Sequence, residues 1–126
     1  MNLIPAYQAT IIDIAVTIIH QSPAYWQGDL SHANEGNPIG GTLMRAHVSG
    51  IFVLSGLWLV IIGLAGYYLP RQFSKTFLLF TVITHSYGAC TWISDRYGFF
   101  AAMALILFNT ISYLLINEPG NQPTVS

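Results

Sequence analysis

The chain has 126 residues, of which 53% are hydrophobic and only 7% are charged, and its formal net charge at pH 7 is −1. About a quarter of the residues in a soluble domain are charged, so this composition excludes an ordinary soluble domain and indicates a membrane protein. Nucleic-acid binding is excluded as well, because the 4 Lys and Arg residues are too few for the basic surface that it requires.

The first apolar stretch, residues 3–20, predicts a transmembrane helix. Pro5 falls in its first turn, where a missing backbone N–H is tolerated. The one charged side chain is Asp13, and Thr17 and His20 follow it at helical spacing. These residues form a polar stripe on an otherwise apolar helix.

Residues 21–46 predict the one long loop, because the segment is rich in proline and glycine. Within it, Asn37 followed by Pro38 is typical of a helix N-cap and first helical position. A short helix is therefore expected to begin near Pro38. The Gly40-Gly41 pair predicts a bend before the next span.

Residues 47–69 predict the second transmembrane helix, because they contain no Asp, Glu, Lys or Arg and can cross a hydrocarbon core of about 30 Å. Residues 76–93 and 98–116 predict a third and a fourth span, and the short connections between these spans favour antiparallel neighbours. The polar residues 117–126 predict an exposed tail. The expected fold class is all-α: a four-helix transmembrane bundle that forms a single domain.

The few basic residues predict the orientation of this bundle. Arg71 and Lys75 lie in the connection between the second and third spans, whereas Arg45 and Arg96 lie one each in the other two connections. The positive-inside rule places the connection with two charges in the cytoplasm. Both termini are then cytoplasmic too.

Small residues in the second span predict close helix packing. Gly56 and Gly63 lie on one face of the helix, where they allow neighbouring backbones to approach. Such a face serves either association with other subunits or packing within the bundle. Internal packing is favoured, because a four-helix chain must first pack its own helices.

Three polar residues are expected to form a buried layer near the membrane midplane: Asp13, His85 and Asn109. Each lies near the middle of its span, and intramembrane Asp and His usually face the bundle interior and find partners. Asp13 and His85 are the natural pair, since a carboxylate favours imidazolium or fixes the imidazole tautomer. The pair is either a proton relay, a metal or ligand site, or a structural hydrogen bond.

A second set of residues has the donor types that bind transition metals, namely His20, His32, Glu35, His47 and Asp95. Their spacing matches no metal motif, so a solvated membrane rim is the favoured interpretation. His47 and His85 are alternatively axial ligands to haem or a chlorophyll-type pigment. Cys90 is expected to be a small buried apolar residue.

The positions Gln8, Asp13 and Thr17, followed by the stretch Glu35-Gly36-Asn37-Pro38, resemble uncharacterised small four-helix membrane protein families of bacteria and archaea. Those families have an acidic residue in the first helix and an acid-x-Asn-Pro element in the next loop. The resemblance implies no activity and no site.

The expected function is that of a non-catalytic accessory or assembly subunit of a larger membrane complex. Its partners would be the lipid bilayer and either other membrane subunits or a second copy of the chain. We expect no enzymatic activity, since the sequence contains no Ser-His-Asp order, P-loop or dinucleotide motif. The alternatives are an intramembrane metal-binding protein or enzyme that uses Asp13 and His85 or the second histidine set, and a subunit that binds haem or pigment.

Overall fold

The computed structural model describes residues 2–118 and Gly120, and this part of the chain is all-helical, with six helices and no strands. The helices are α1 (Ile4–His20), α2 (Pro23–Trp26), α3 (Pro38–Ala46), α4 (Gly50–Tyr68), α5 (Arg71–Tyr97) and α6 (Phe99–Asn117), with a 3₁₀ turn at Leu30–His32. The prediction of an all-α fold is confirmed. Most of the predicted tail, residues 117–126, lies outside the described residues.

Two of these helices, α4 and α6, are long and apolar enough to cross a membrane, whereas α1 is apolar but has only 17 residues. Helix α5 is longer, with 27 residues, but it contains many polar residues among its apolar ones. Length and composition therefore support membrane crossing for two of the four predicted spans.

The segment 21–46, predicted as a loop, is largely folded. It contains α2, the 3₁₀ turn and α3. The predicted N-cap is confirmed, because the Asn37 side chain accepts a hydrogen bond from the backbone N–H of Ile39 at 3.0 Å and Pro38 opens α3.

The bend predicted at Gly40-Gly41 lies elsewhere, because α3 continues through both glycines and ends at Ala46. The chain turns at His47, which is extended with φ −160° and ψ 153°, so His47 lies outside the second helix that was predicted to begin with it. Gly50 makes the joint possible. A Cβ at this position would lie 2.0 Å from the Leu43 carbonyl oxygen.

Helices α1 and α5 form the central pair of the bundle. Helix α1 packs most extensively on α5 and also contacts α4 and α6, and α5 contacts the same two helices. Helices α4 and α6 flank this pair. The apolar core between α1, α4 and α5 consists of Ala6, Ala9, Ile62, Leu78 and Val82.

A second apolar cluster lies at the other end of the bundle, where side chains of α2, α3 and α4 form it. Tyr25, Met44 and Ile51 are its fully buried members, and Ile18 of α1 packs against them. Along α1, the two clusters lie on either side of Asp13. The carboxylate is therefore held between two apolar layers.

Candidate functional site

The closest polar contact between the central helices joins Asp13 of α1 to His85 of α5. Asp13 Oδ2 lies 2.7 Å from His85 Nδ1. The two side chains are 19% and 13% exposed, respectively. The structure therefore brings together the two residues that the sequence suggested as a pair.

Trp58 of α4 is the third member of this centre. Its indole Nε1–H donates a hydrogen bond to His85 Nε2, and the two ring centroids are 5.8 Å apart. An indole nitrogen can only donate, so Nε2 must carry the lone pair. The hydrogen-bond geometry therefore assigns to His85 the tautomer with its hydrogen on Nδ1, which donates that hydrogen to Asp13.

Gly88 provides the space for the carboxylate, one helical turn beyond His85. A Cβ at position 88 would lie 2.8 Å from Asp13 Oδ2 and 2.9 Å from Oδ1. Because contacts below 3.0 Å are essentially never made by a real Cβ, no other residue fits here without a shift of Asp13. The Asp13–His85–Trp58 centre, with Gly88 beneath the carboxylate, links α1, α4 and α5.

Asn109, the third residue of the predicted layer, belongs to a separate cluster. Its Nδ2 donates to Ser86 Oγ at 2.8 Å, and its Oδ1 accepts from Gln8 Nε2 at 3.2 Å. This second cluster links α1, α5 and α6. The predicted single layer is therefore two adjacent three-helix hydrogen-bonded clusters that share α1 and α5.

Trp58, Ser86 and the role of Gln8 were not predicted from the sequence. Trp58 carries a signal that could have identified it, since a tryptophan in a buried setting needs an acceptor for its indole N–H. The acceptor, however, lies on another helix, which only the fold places. Ser86 offers no such signal, because a serine in a helix often bonds to its own backbone instead.

The residues predicted as metal ligands are dispersed. His20 Nδ1 lies 2.7 Å from the Val16 carbonyl oxygen, and the His20 ring stacks on Trp92. His32 pairs with Asp29 at 2.8 Å, and both side chains are more than half exposed.

The remaining members of that set also have local partners or lie apart. Glu35 Oε1 accepts from the backbone N–H of Asn37 at 2.9 Å, and His47 Nδ1 is 2.8 Å from Ser49 Oγ. Asp95 is exposed near the end of α5. In the part of the chain that the structure describes, no three His, Cys, Asp or Glu side chains are grouped as a metal would require.

The two histidines predicted as possible axial ligands, His47 and His85, differ in their surroundings. Both ring nitrogens of His85 are occupied, by Asp13 and by Trp58. His85 therefore has no nitrogen left for a haem iron or a pigment magnesium in this arrangement. His47 is exposed at the joint between α3 and α4.

Two interactions fix the folded segment between α1 and α4. The buried Gln21 side chain donates to the Asn34 carbonyl oxygen at 2.7 Å and accepts from the Asn34 N–H at 3.1 Å. The Tyr25 hydroxyl donates to the Val48 carbonyl oxygen at 2.9 Å.

Burial raises the pKa of Tyr25 above its ordinary value. The pKa of the exposed Asp29 is lowered, chiefly because the Ser31 hydroxyl donates to its carboxylate.

A scan against protein-family models, a search of curated proteins and a search of solved structures each gave no match. The fold and site define a small helical protein that has two helices able to cross a membrane and a hydrogen-bonded Asp–His–Trp centre. The resemblance based on Glu35 to Pro38 stays a prediction.

Proposed function

We propose that this chain is an integral membrane protein with four spans, α1, α4, α5 and α6, and that it acts as a non-catalytic accessory or assembly subunit of a larger membrane complex. The observation that carries this proposal is the distribution of polarity. Large apolar side chains are exposed on all four long helices, including Ile11 on α1, Leu57 on α4, Ile83 on α5 and Leu107 on α6.

Polar side chains are also buried in the interior, and they are hydrogen-bonded there. Thr10 and Thr81 are fully buried, and each hydroxyl donates to the carbonyl oxygen four residues earlier, at Ala6 and Phe77. Within the described residues, no buried side-chain nitrogen or oxygen lacks a hydrogen-bond partner. An apolar exterior around a fully bonded polar interior suits a bundle surrounded by lipid.

The charges on α5 support a crossing by this helix as well. Arg71 and Lys75 lie near its start, and Asp95 and Arg96 lie near its end. At 1.5 Å per residue, Lys75 and Asp95 are about 30 Å apart, which matches the hydrocarbon thickness of a bilayer. His85 lies near the middle of this interval and is bonded to Asp13 and Trp58.

The two ends of the bundle support the proposed orientation. The backbone N–H of Asn2 donates to Asn117 Oδ1 at 3.1 Å, so the start of α1 and the end of α6 lie together. The chain enters and leaves at one end, as an even number of crossings requires. This end is proposed to be cytoplasmic, because the start of α5, which carries Arg71 and Lys75, follows α4 at the same end.

The accessory role rests on how the polar residues are used. Asp13, His85 and Trp58 bond to one another and thereby join three helices. The outer apolar faces of α4 and α6 lie away from the central pair and are available to lipid and to neighbouring subunits. The proposed chemistry of the protein is therefore recognition through apolar helix faces.

Two experiments test this proposal in sequence. First, single cysteines at Asn2, His32, Gln72 and Asp95 in a Cys90→Ser background are labelled from each side of the membrane. Positions 2 and 72 are expected to label from one side, and positions 32 and 95 from the other. Labelling of positions 32 and 72 from the same side would contradict the four-span topology.

Second, the full chain is purified from its native membrane in mild detergent and its associated proteins are identified. A defined set of membrane subunits in fixed stoichiometry supports the accessory role. A monodisperse chain that contains no other subunit and is catalytically active when purified would overturn it.

A further inference from the structure

The hydrogen bonds around His85 use both of its ring nitrogens in different ways. Nδ1 carries the hydrogen that goes to Asp13, and Nε2 offers the lone pair that accepts the Trp58 indole N–H. The lone pair on Nε2 is the basic site of this imidazole. The same electron pair therefore serves Trp58 and any proton that His85 takes up.

We propose that His85 is a proton-binding site at which the proton competes with Trp58. The uptake places one proton on Nε2 and converts His85 to imidazolium. Nε2 then becomes a donor, and the indole N–H, itself a donor, loses its acceptor. The bond between Nδ1 and Asp13 is retained, and the Asp13 carboxylate with the imidazolium forms a pair without net charge.

Within the described residues, the positions around His85 carry these polar and titratable groups. Helix α1 presents Asp13, and α5 itself carries Cys90, which interacts electrostatically with Asp13. Helix α4 presents Trp58, which does not titrate. Helix α6 presents the neutral amide of Asn109, which bonds to Ser86 beside His85.

Proton uptake affects the bond that joins Trp58 of α4 to α5. Trp58 bonds to α5 near the middle of α4, whereas the later half of α4 has further polar ties: the Tyr7 hydroxyl donates to the Leu59 carbonyl oxygen at 3.0 Å, and Ser74 Oγ donates to the Gly66 carbonyl oxygen at 2.7 Å. Those ties do not involve His85. Loss of the Trp58 bond therefore removes the side-chain tie between α4 and His85 of α5, whereas the ties at Leu59 and Gly66 remain.

The test uses the full chain labelled with ¹⁵N-tryptophan and ¹⁵N-histidine in detergent micelles, titrated from about pH 8 to about pH 5, the range in which histidine is the usual switch. Single Trp→Phe variants assign the three indole signals. On acidification, the Trp58 indole N–H signal is expected to shift reversibly upfield as its hydrogen bond is lost, together with protonation of His85 Nε2. Trp26 contacts Tyr25 and Phe52, so its indole signal serves as an internal control.

Two variants make the result decisive. In His85→Gln, the pH dependence of the Trp58 signal is expected to disappear. In Trp58→Phe, which frees Nε2, a larger fraction of His85 is expected to be protonated at a given acidic pH than in the wild-type chain. An unchanged Trp58 signal across the titration, or equal protonation of His85 with and without Trp58, would overturn the proposal. Neither readout depends on any partner subunit, so this inference can fail while the accessory role stands.

Discussion

The carboxylate of Asp13 occupies the space that a side chain at position 88 would need, since a Cβ on Gly88 would lie 2.8 Å from Oδ2. This relationship couples a glycine on α5 to the one charged residue of α1. The glycine therefore belongs to the polar centre, although it has no side chain to contribute.

Replacing this glycine is expected to displace the carboxylate from His85. Gly88→Ala should destabilise the fold by about 1 to 3 kcal/mol, the usual cost of overpacking a tight contact. The measurement is thermal or denaturant unfolding in detergent. Gly56→Ala is the matched control, because a Cβ at Gly56 meets nothing within 4 Å. Equal effects of the two changes would show that the carboxylate moves aside without cost.

The contact between Asp13 and His85 is expected to appear as thermodynamic coupling. Asp13→Ala and His85→Ala should each destabilise the bundle, and the double variant should lose less than the sum of the two. Polar couplings of this kind in membranes average about 0.6 kcal/mol. A double-mutant cycle measured by unfolding gives this value. Additive losses would mean that the two side chains act independently.

The small-residue face of α4 is expected to act through Gly63 and not through Gly56. A Cβ at Gly63 would lie 2.6 Å from the Tyr7 hydroxyl oxygen. Gly63→Leu should therefore cost about 1 to 3 kcal/mol of stability, whereas Gly56→Leu should leave the unfolding free energy nearly unchanged. If the two leucine variants unfold alike, α1 does not pack closely against this part of α4.

The folded segment between α1 and α4 is expected to depend on Gln21. Its two bonds to the Asn34 backbone are partly buried, so Gln21→Ala leaves a backbone donor and acceptor unpaired, at a cost of about 1 to 3 kcal/mol. Limited proteolysis of residues 27–36 is the readout, and faster cleavage is expected. Gln27→Ala, at an exposed position of the same segment, serves as the control and should be cleaved at the wild-type rate.

Tyr25 is expected to make the same segment sensitive to alkali. Burial raises the pKa of its phenol, so the folded state holds the proton more tightly than the unfolded chain does. The resulting stabilisation is fully present below the ordinary tyrosine pKa of about 10 and is lost as the pH rises through the raised value. Unfolding measured against pH should show this loss, and Tyr25→Phe should remove it.

The features that depend on local chemistry could be predicted from the sequence. Asn37 and Pro38 predicted the start of α3 because an N-cap and a proline at the first helical position act within one turn. The pairing of Asp13 with His85 could also be predicted, since a charged residue in the middle of a predicted span needs a partner at the same depth.

The features that depend on packing could not be predicted from the sequence. Gly40 and Gly41 were expected to bend the chain, yet both are buried within α3, where a Cβ at Gly40 would lie 2.7 Å from Leu54. The break depends instead on Gly50 and its approach to Leu43, a contact between two helices. Asn109 could reach the same depth as His85, but its direction around α6 brings it to Gln8 and Ser86.

The residues that bond to Asp13 and Gln8 of α1 are synthesised long after α1. Asp13 and His85 are 72 residues apart in sequence, and Gln8 and Asn109 are 101 residues apart. During synthesis, the first helix therefore leaves the ribosome with a carboxylate and an amide whose acceptors and donors do not yet exist. In the proposed membrane setting, α1 therefore gains the hydrogen bonds of Asp13 and Gln8 only after α5 and α6 have been inserted, so its integration is completed late.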